Sequence, residues 1–134
     1  MPKAQALDSY ALIAFLRDEP GAETVALILE KAGQHDRLVH MTEVNYAEVQ
    51  HLIRHKDGDA VWQTIAAELV AAPIEFHPVD RRLADTAAEF KARFRISLAA
   101  AFAAALAKEK KAELFTGDPD FKAVEGEIRI VWLK

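Results

Sequence analysis

ELFTGDPDF, residues 113–121, holds a strand, its stop and a helix start in one short segment. Glu113–Thr116 is a short, largely apolar run that reads as a strand. Asp118-Pro119 then reads as the start of a turn or short helix, because Asp caps well and Pro suits the first helical position. Downstream, Ile128–Leu133 is another apolar run and the last predicted strand. The same order recurs upstream. Ala4–Leu7 is a short strand, Ser9 is placed to cap a helix with Tyr10, Leu12, Ile13 and Leu16 on its apolar face, and Glu19-Pro20-Gly21 stops it. A second helix runs through Val25, Leu27, Ile28 and Leu29 to Gly33. Arg37–Met41 is a strand, and Thr42 caps a helix through Val44, Val49, Leu52 and Ile53 that breaks near Asp57-Gly58. Trp62, Ile65, Leu69 and Val70 mark another helix, ending before Pro73, and Ile74–Val79 is a strand. Asp80 opens a helix to about Arg95, and Ser97 caps an alanine-rich helix to about Lys111. Five strands alternating with helices predict an α/β fold with a mostly parallel central sheet.

The chain has 134 residues and is about half apolar, enough for one domain spanning 1–134 with an ordinary core. We find no repeat, linker or low-complexity segment. Cysteine is absent, which excludes disulfides, thiolate nucleophiles and Cys-held zinc or iron–sulfur clusters, and leaves oxygen and His as metal ligands. Neither a signal-type N-terminus nor a run of about 18 apolar residues is seen, so a soluble, cytoplasmic protein is expected. A net charge of −4 argues against a protein that coats nucleic acid non-specifically. It is compatible with a nuclease, since clustered carboxylates make a chain acidic and a bound cation reverses the sign locally.

In a parallel sheet, ligands bind outside the carboxyl ends of the strands, so acids at those ends are informative. Asp8 follows the first strand, Asp118 lies two residues beyond Thr116, and Glu48 is about two turns into the helix after the second strand. Hard cations such as Mg²⁺ and Mn²⁺ take oxygen ligands, often from only a few carboxylates. Clustered acids repel one another without a cation and are stabilised by one. Each acid also has a plain structural use: Asp118 and Asp8 as helix caps, Glu48 as a solvated helix residue.

Three segments resemble PIN-domain proteins of the VapC toxin type, over nearly the whole chain. LDSYALIAFL, Leu7 to Leu16, is similar to the family's first motif, whose Asp passes a metal-ligand role to Asp8. MTEVNYAEV, Met41 to Val49, passes the second acidic role to Glu48, with Asn45 in the polar position before it. ELFTGDPDFKAVEGEIRIVWL is the most specific; it gives Asp118 a metal role, Thr116 a supporting hydroxyl and Asp120 a peripheral place. The resemblance implies a PIN-like three-layer α/β/α sandwich. It further implies a Mg²⁺- or Mn²⁺-dependent endoribonuclease, with Asp8, Glu48 and Asp118 as catalytic residues, neutralised by a small antitoxin and commonly homodimeric. The departure is in ISLAAAFAAALA, Ile96 to Ala107, where the family usually reads Ser-Leu-Ala-Asp-Ala-Phe and this chain has Ala100. An Asp there would sit in the first turn of a helix, whose dipole favours an anion. The expectation is weak metal binding and impaired cleavage, in a degenerate member or, as the intact flanks favour, an inactivated form of an active nuclease. A catalytically inactive RNA- or antitoxin-binding module of the same fold is the alternative.

Lys91, Arg93 and Arg95, with Arg17, Arg54 and Lys56, are candidates for a rim that holds an RNA backbone, although each alone reads as a solvated charge. His35, His40, His51, His55 and His77 read as surface or packing residues, since His51 and His55 lack the intervening Glu of the metalloprotease arrangement. Trp62 and Trp132 read as core filling rather than base-stacking platforms. The alanines from Ala99 to Ala107 fit either helix propensity or close packing at a dimer interface. A receiver- or phosphatase-like reading is weak, because Ser9 and Tyr10, not a second acid, follow Asp8.

Overall fold

The computed structural model describes residues 3–133; Met1, Pro2 and Lys134, the ends of the expected 1–134 domain, lie outside the described residues. Strand β1 (Gln5–Leu7) leads into α1 (Ser9–Leu16) and α2 (Ala22–Gln34). Strand β2 (Val39–Thr42) leads into α3 (Glu43–Asp57) and α4 (Asp59–Ala71), and β3 (Ile74–His77) into α5 (Arg81–Arg93) and α6 (Leu98–Lys110). Strand β4 (Glu113–Thr116) is followed by a 3₁₀ helix, Pro119–Val124, and then by β5 (Ile130–Trp132). All five strands were expected. Their described bounds are shorter at several ends, notably β3, which stops at His77 where the chain turns toward Asp80, the cap of α5.

The sheet has the order β3-β2-β1-β4-β5, and every pairing is parallel, which sharpens the expectation of a mostly parallel sheet. Connections from β1 step outward to one edge and from β4 to the other. The topological switch therefore falls between β1 and β4, and the crevice outside their carboxyl ends is the natural ligand site of such a sheet.

Strand alternation builds the two outer layers. Leu7, Val39, Met41, Ile74 and Phe115 face one core with α1 to α4, whereas Ala6 and Leu114 face the other with α5, α6 and the 3₁₀ helix. Trp62 is in the first core, as expected. Trp132 is only half-buried and its indole N–H donates to Glu125 at 2.9 Å, because β5 is an edge strand. Tyr10, Leu27 and Val70, expected on apolar faces, are exposed; Ala11 and Ala14 sit with Leu12 on the buried side of α1 instead.

The alanine run belongs to the interior. Ala100 to Ala107 are all buried, and α6 packs on α5, α3, β1, β2 and β4. Small side chains let one helix touch so many elements closely, so this run is intramolecular core and not a surface left for dimer packing. Ala104 is fully buried, and Ala104→Leu should destabilise the chain by roughly 1–3 kcal/mol through overpacking. The same change at exposed Ala88 should stay within about 0.5 kcal/mol, as urea unfolding would read.

Candidate active site

Three of the helices that start at the carboxyl end of the sheet, and the 3₁₀ turn, each with a side-chain cap, border one crevice. Asp8 caps α1 by accepting from the Ala11 N–H at 2.9 Å, Thr42 caps α3 through Asn45, Ser97 caps α6 through Ala100, and Asp118 caps the 3₁₀ helix through Asp120. Asp8, not Ser9, is thus the cap of α1: the helix begins one residue earlier than the hydroxyl would need. Ser9 instead bonds α3, donating to the Asn45 carbonyl at 3.3 Å.

Asn45 ties these starts together. Its carbonyl oxygen accepts from Thr42 at 2.5 Å, and its amide donates to Ser9 Oγ at 3.1 Å and to the Ala99 carbonyl at 3.2 Å. One buried side chain therefore links α1, α3 and α6. Thr116 does the same for β1 and β4. Its hydroxyl donates to Asp8 Oδ2 at 2.5 Å and accepts from the Asp118 N–H at 3.0 Å.

These struts frame a polar cavity of about 50 Å³ lined by Asp8, Glu48, Asp118, Ala100, Asn45 and Ser97, together with Ser9, Tyr10 and Phe121. Asp8 is buried, Asp118 half-buried and Glu48 exposed at the rim. Burial pushes the Asp8 carboxyl up to about 7, with Asp118 and Glu48 adding repulsion, against the lowering effect of its bonds from Thr116 and Ala11. Using Asp8 as a cap does not exhaust it, since a carboxylate offers about four lone-pair sites. The three acids surround one space, but at wider spacing than a tight ligand cage. Among the described residues, the one trio of ligating atoms all within 4.8 Å of one another is His40, Glu75 and His77, elsewhere on the sheet.

The remaining sequence candidates lie outside the cavity. Asp120 is exposed and contributes its N–H to Asp118 rather than its carboxylate to the cavity. Arg17, at the far end of α1, bonds Asp57 at 3.0 Å and Glu19 at 2.8 Å. Arg93 pairs with Glu127, which lines a hollow at the start of β4, opposite the Asp118 end; its guanidinium is therefore held away from the carboxylates. Lys91 and Arg95 are exposed, and Arg95 lies two residues before the cavity-lining Ser97. Tyr10, Ser97 and Phe121 were not foreseen as lining residues. Tyr10 had a signal, being the first ring after Asp8: it leans on Gly117, where any Cβ would collide with the ring.

The family model for the PIN domain matches residues 6–127. A search of curated proteins found no match. Among solved structures, the chain is similar to VapBC2 from Rickettsia felis bound to a DNA fragment from their promoter, with 13% identity, a TM-score of 0.78, and 98% of this chain and 99% of that chain covered. It is also similar to DNA-bound VapBC from Salmonella typhimurium, with 14% identity, a TM-score of 0.75, and 97% and 98% covered. Mycobacterium tuberculosis VapC20, a sarcin–ricin loop cleaving toxin, shares 16% identity at a TM-score of 0.71, with 90% and 95% covered.

The raised Asp8 carboxyl fixes a sign. The folded chain holds this proton more tightly than the unfolded chain, so its contribution to stability is intact below about pH 4 and is lost as pH rises toward about 7. In EDTA, urea unfolding should show this loss, at about 1.4 kcal/mol per unit of pKa difference, and Asp8→Asn should remove it. Thr116→Val should push the Asp8 titration higher still, as carboxyl NMR would show.

Proposed function

The chain belongs to the PIN domain family, and on that premise we propose that it is a metal-dependent endoribonuclease of the VapC toxin type, impaired by Ala100. The observation that carries the reading is the buried Asp8 carboxyl, facing Asp118 and Glu48 at the switch point of the sheet. A carboxylate that is costly to ionise alone, repelled by two neighbours, is a place where a cation is worth most. Asp8, Asp118 and Glu48 would hold Mg²⁺ or Mn²⁺ through a hard oxygen donor set, and their wide spacing suits ions that keep several waters. When bound, such an ion polarises a phosphodiester and lowers the pKa of a coordinated water.

Within that scheme, Thr116 and the Ala11 N–H orient Asp8, so its free lone pairs face the cavity. Asn45 is a positioning residue, fixing the starts of α1, α3 and α6. Glu48, at the solvent rim, lines the open side of the cavity. Tyr10 at the mouth offers a ring face to an unpaired base, and exposed Lys91, Arg95 and Lys56 are cationic candidates for the RNA backbone. Ala100 lies at the first turn of α6, where its N–H bonds the Ser97 hydroxyl and its methyl group lines the cavity.

The toxin–antitoxin neighbours support a small antitoxin as partner. A homodimer and a cytoplasmic location complete the reading; among the described residues no helix is long and apolar enough to cross a membrane. The methyl group at Ala100 also favours a second reading, an inactive module that grips RNA or antitoxin without cutting.

Ala100→Asp should raise Mg²⁺- or Mn²⁺-dependent cleavage of RNA by at least about tenfold, equivalent to about 1.4 kcal/mol of transition-state stabilisation, and Asp118→Asn in that background should abolish the gain. Its melting temperature should also rise more with Mn²⁺ than that of the parent chain. RNA binding without cleavage by both chains would support the inactive module and refute the impaired nuclease.

A further inference from the structure

His40 and His77 are neither simple surface nor packing residues, as their sequence reading had them. On β3, Glu75 and His77 are two residues apart and so share a face. The parallel register sets His40 of β2 opposite Glu75, and His77 diagonal to it opposite Thr42. Ala6, paired with His40, belongs to the α5–α6 core, so the trio sits on that face of the sheet, at the β3 edge.

The ligating atoms converge. His40 Nδ1 lies 2.8 Å from His77 Nε2, and Glu75 Oε1 lies 3.8 Å from the first and 3.7 Å from the second. A point equidistant from three atoms so spaced is about 2.0 Å from each, which matches zinc–imidazole and zinc–carboxylate bond lengths of about 2.0–2.2 Å. Two imidazoles and one carboxylate are ligands for a borderline transition ion, not for Mg²⁺.

We infer that His40, Glu75 and His77 form a second metal site, for a Zn²⁺-class ion, with a fourth position open to solvent. The site is independent of the carboxylate cavity and staples the edge strand β3 to β2. Without metal, one ring N–H is donated to the other ring across the 2.8 Å contact; metal binding moves that proton to the outer nitrogen of its own ring, leaving His40 Nδ1 and His77 Nε2 free to ligate. Burial chiefly, then the neighbouring His77, with a smaller push from Lys110, lowers the His40 pKa despite the opposing Glu75, favouring the neutral imidazole that metals bind. Glu75, half-exposed, supplies the negative charge that offsets Lys110.

The test is titration of the full chain, stripped with EDTA, with Co²⁺ and Zn²⁺. One equivalent of Co²⁺ should give visible d–d bands of a low-coordinate site, which Zn²⁺ displaces, and Zn²⁺ should raise the melting temperature. His40→Ala and His77→Ala should each weaken Zn²⁺ binding by well over tenfold, since even changes behind the ligands cost roughly 10–100-fold. Asp118→Asn should leave it unchanged. Should a His variant fail to melt cooperatively without metal, Glu75→Gln on the exposed carboxylate serves instead and must weaken binding. Failure of stoichiometric binding, binding that survives the His or Glu change, or binding lost with Asp118→Asn overturns the proposal. The last outcome would place the ion at the carboxylates and leave the nuclease reading standing.

Discussion

A buried carboxyl group shared by two strands is the constraint on which this end of the molecule depends. Asp8 leaves β1, caps α1, and accepts the hydroxyl of Thr116 from β4 at 2.5 Å. Two hydrogen bonds do not repay the loss of water around a full charge, so burial keeps its proton until about pH 7. That arrangement exists only because β1 and β4, far apart in the chain, are neighbours in the sheet.

The rest of the crevice is held to the same point. Asn45 links three helices, and both of its side-chain amide hydrogens are spent on structure rather than on ligand. Helix starts carry partial positive charge, and four capped starts converge where the acids gather, which eases the repulsion among Asp8, Asp118 and Glu48. The buried alanines of α6 are the packing counterpart: without bulk, that helix comes close enough for the Ala99 carbonyl to reach Asn45. Core packing and site geometry are one construction here.

Ala100 is buried at the cavity wall, on the first turn of a properly capped helix. The helix start is intact, and the side chain at this position is a methyl group. That methyl group lines the cavity together with Asp8, Glu48 and Asp118.

Sequence by itself determined the elements and their order, because strand and helix periodicities and the caps at Thr42, Asp80, Ser97 and Asp118 are local physics. It also put Asp8 and Asp118 just past strand ends and Glu48 about two turns into the helix after the second strand, and motif likeness made Ala100 conspicuous. It could not say that Asp8 rather than Ser9 caps α1, that Tyr10 lies at the cavity mouth instead of in the core, or that Arg93 is drawn to Glu127 at the opposite end of β4. Those outcomes turn on one residue of helix phase or on long side chains choosing among distant partners. The His40, Glu75 and His77 trio shows the limit most clearly. His40 is far in sequence from Glu75 and His77, and only strand register, a product of the whole sheet, brings its ligating atom to theirs.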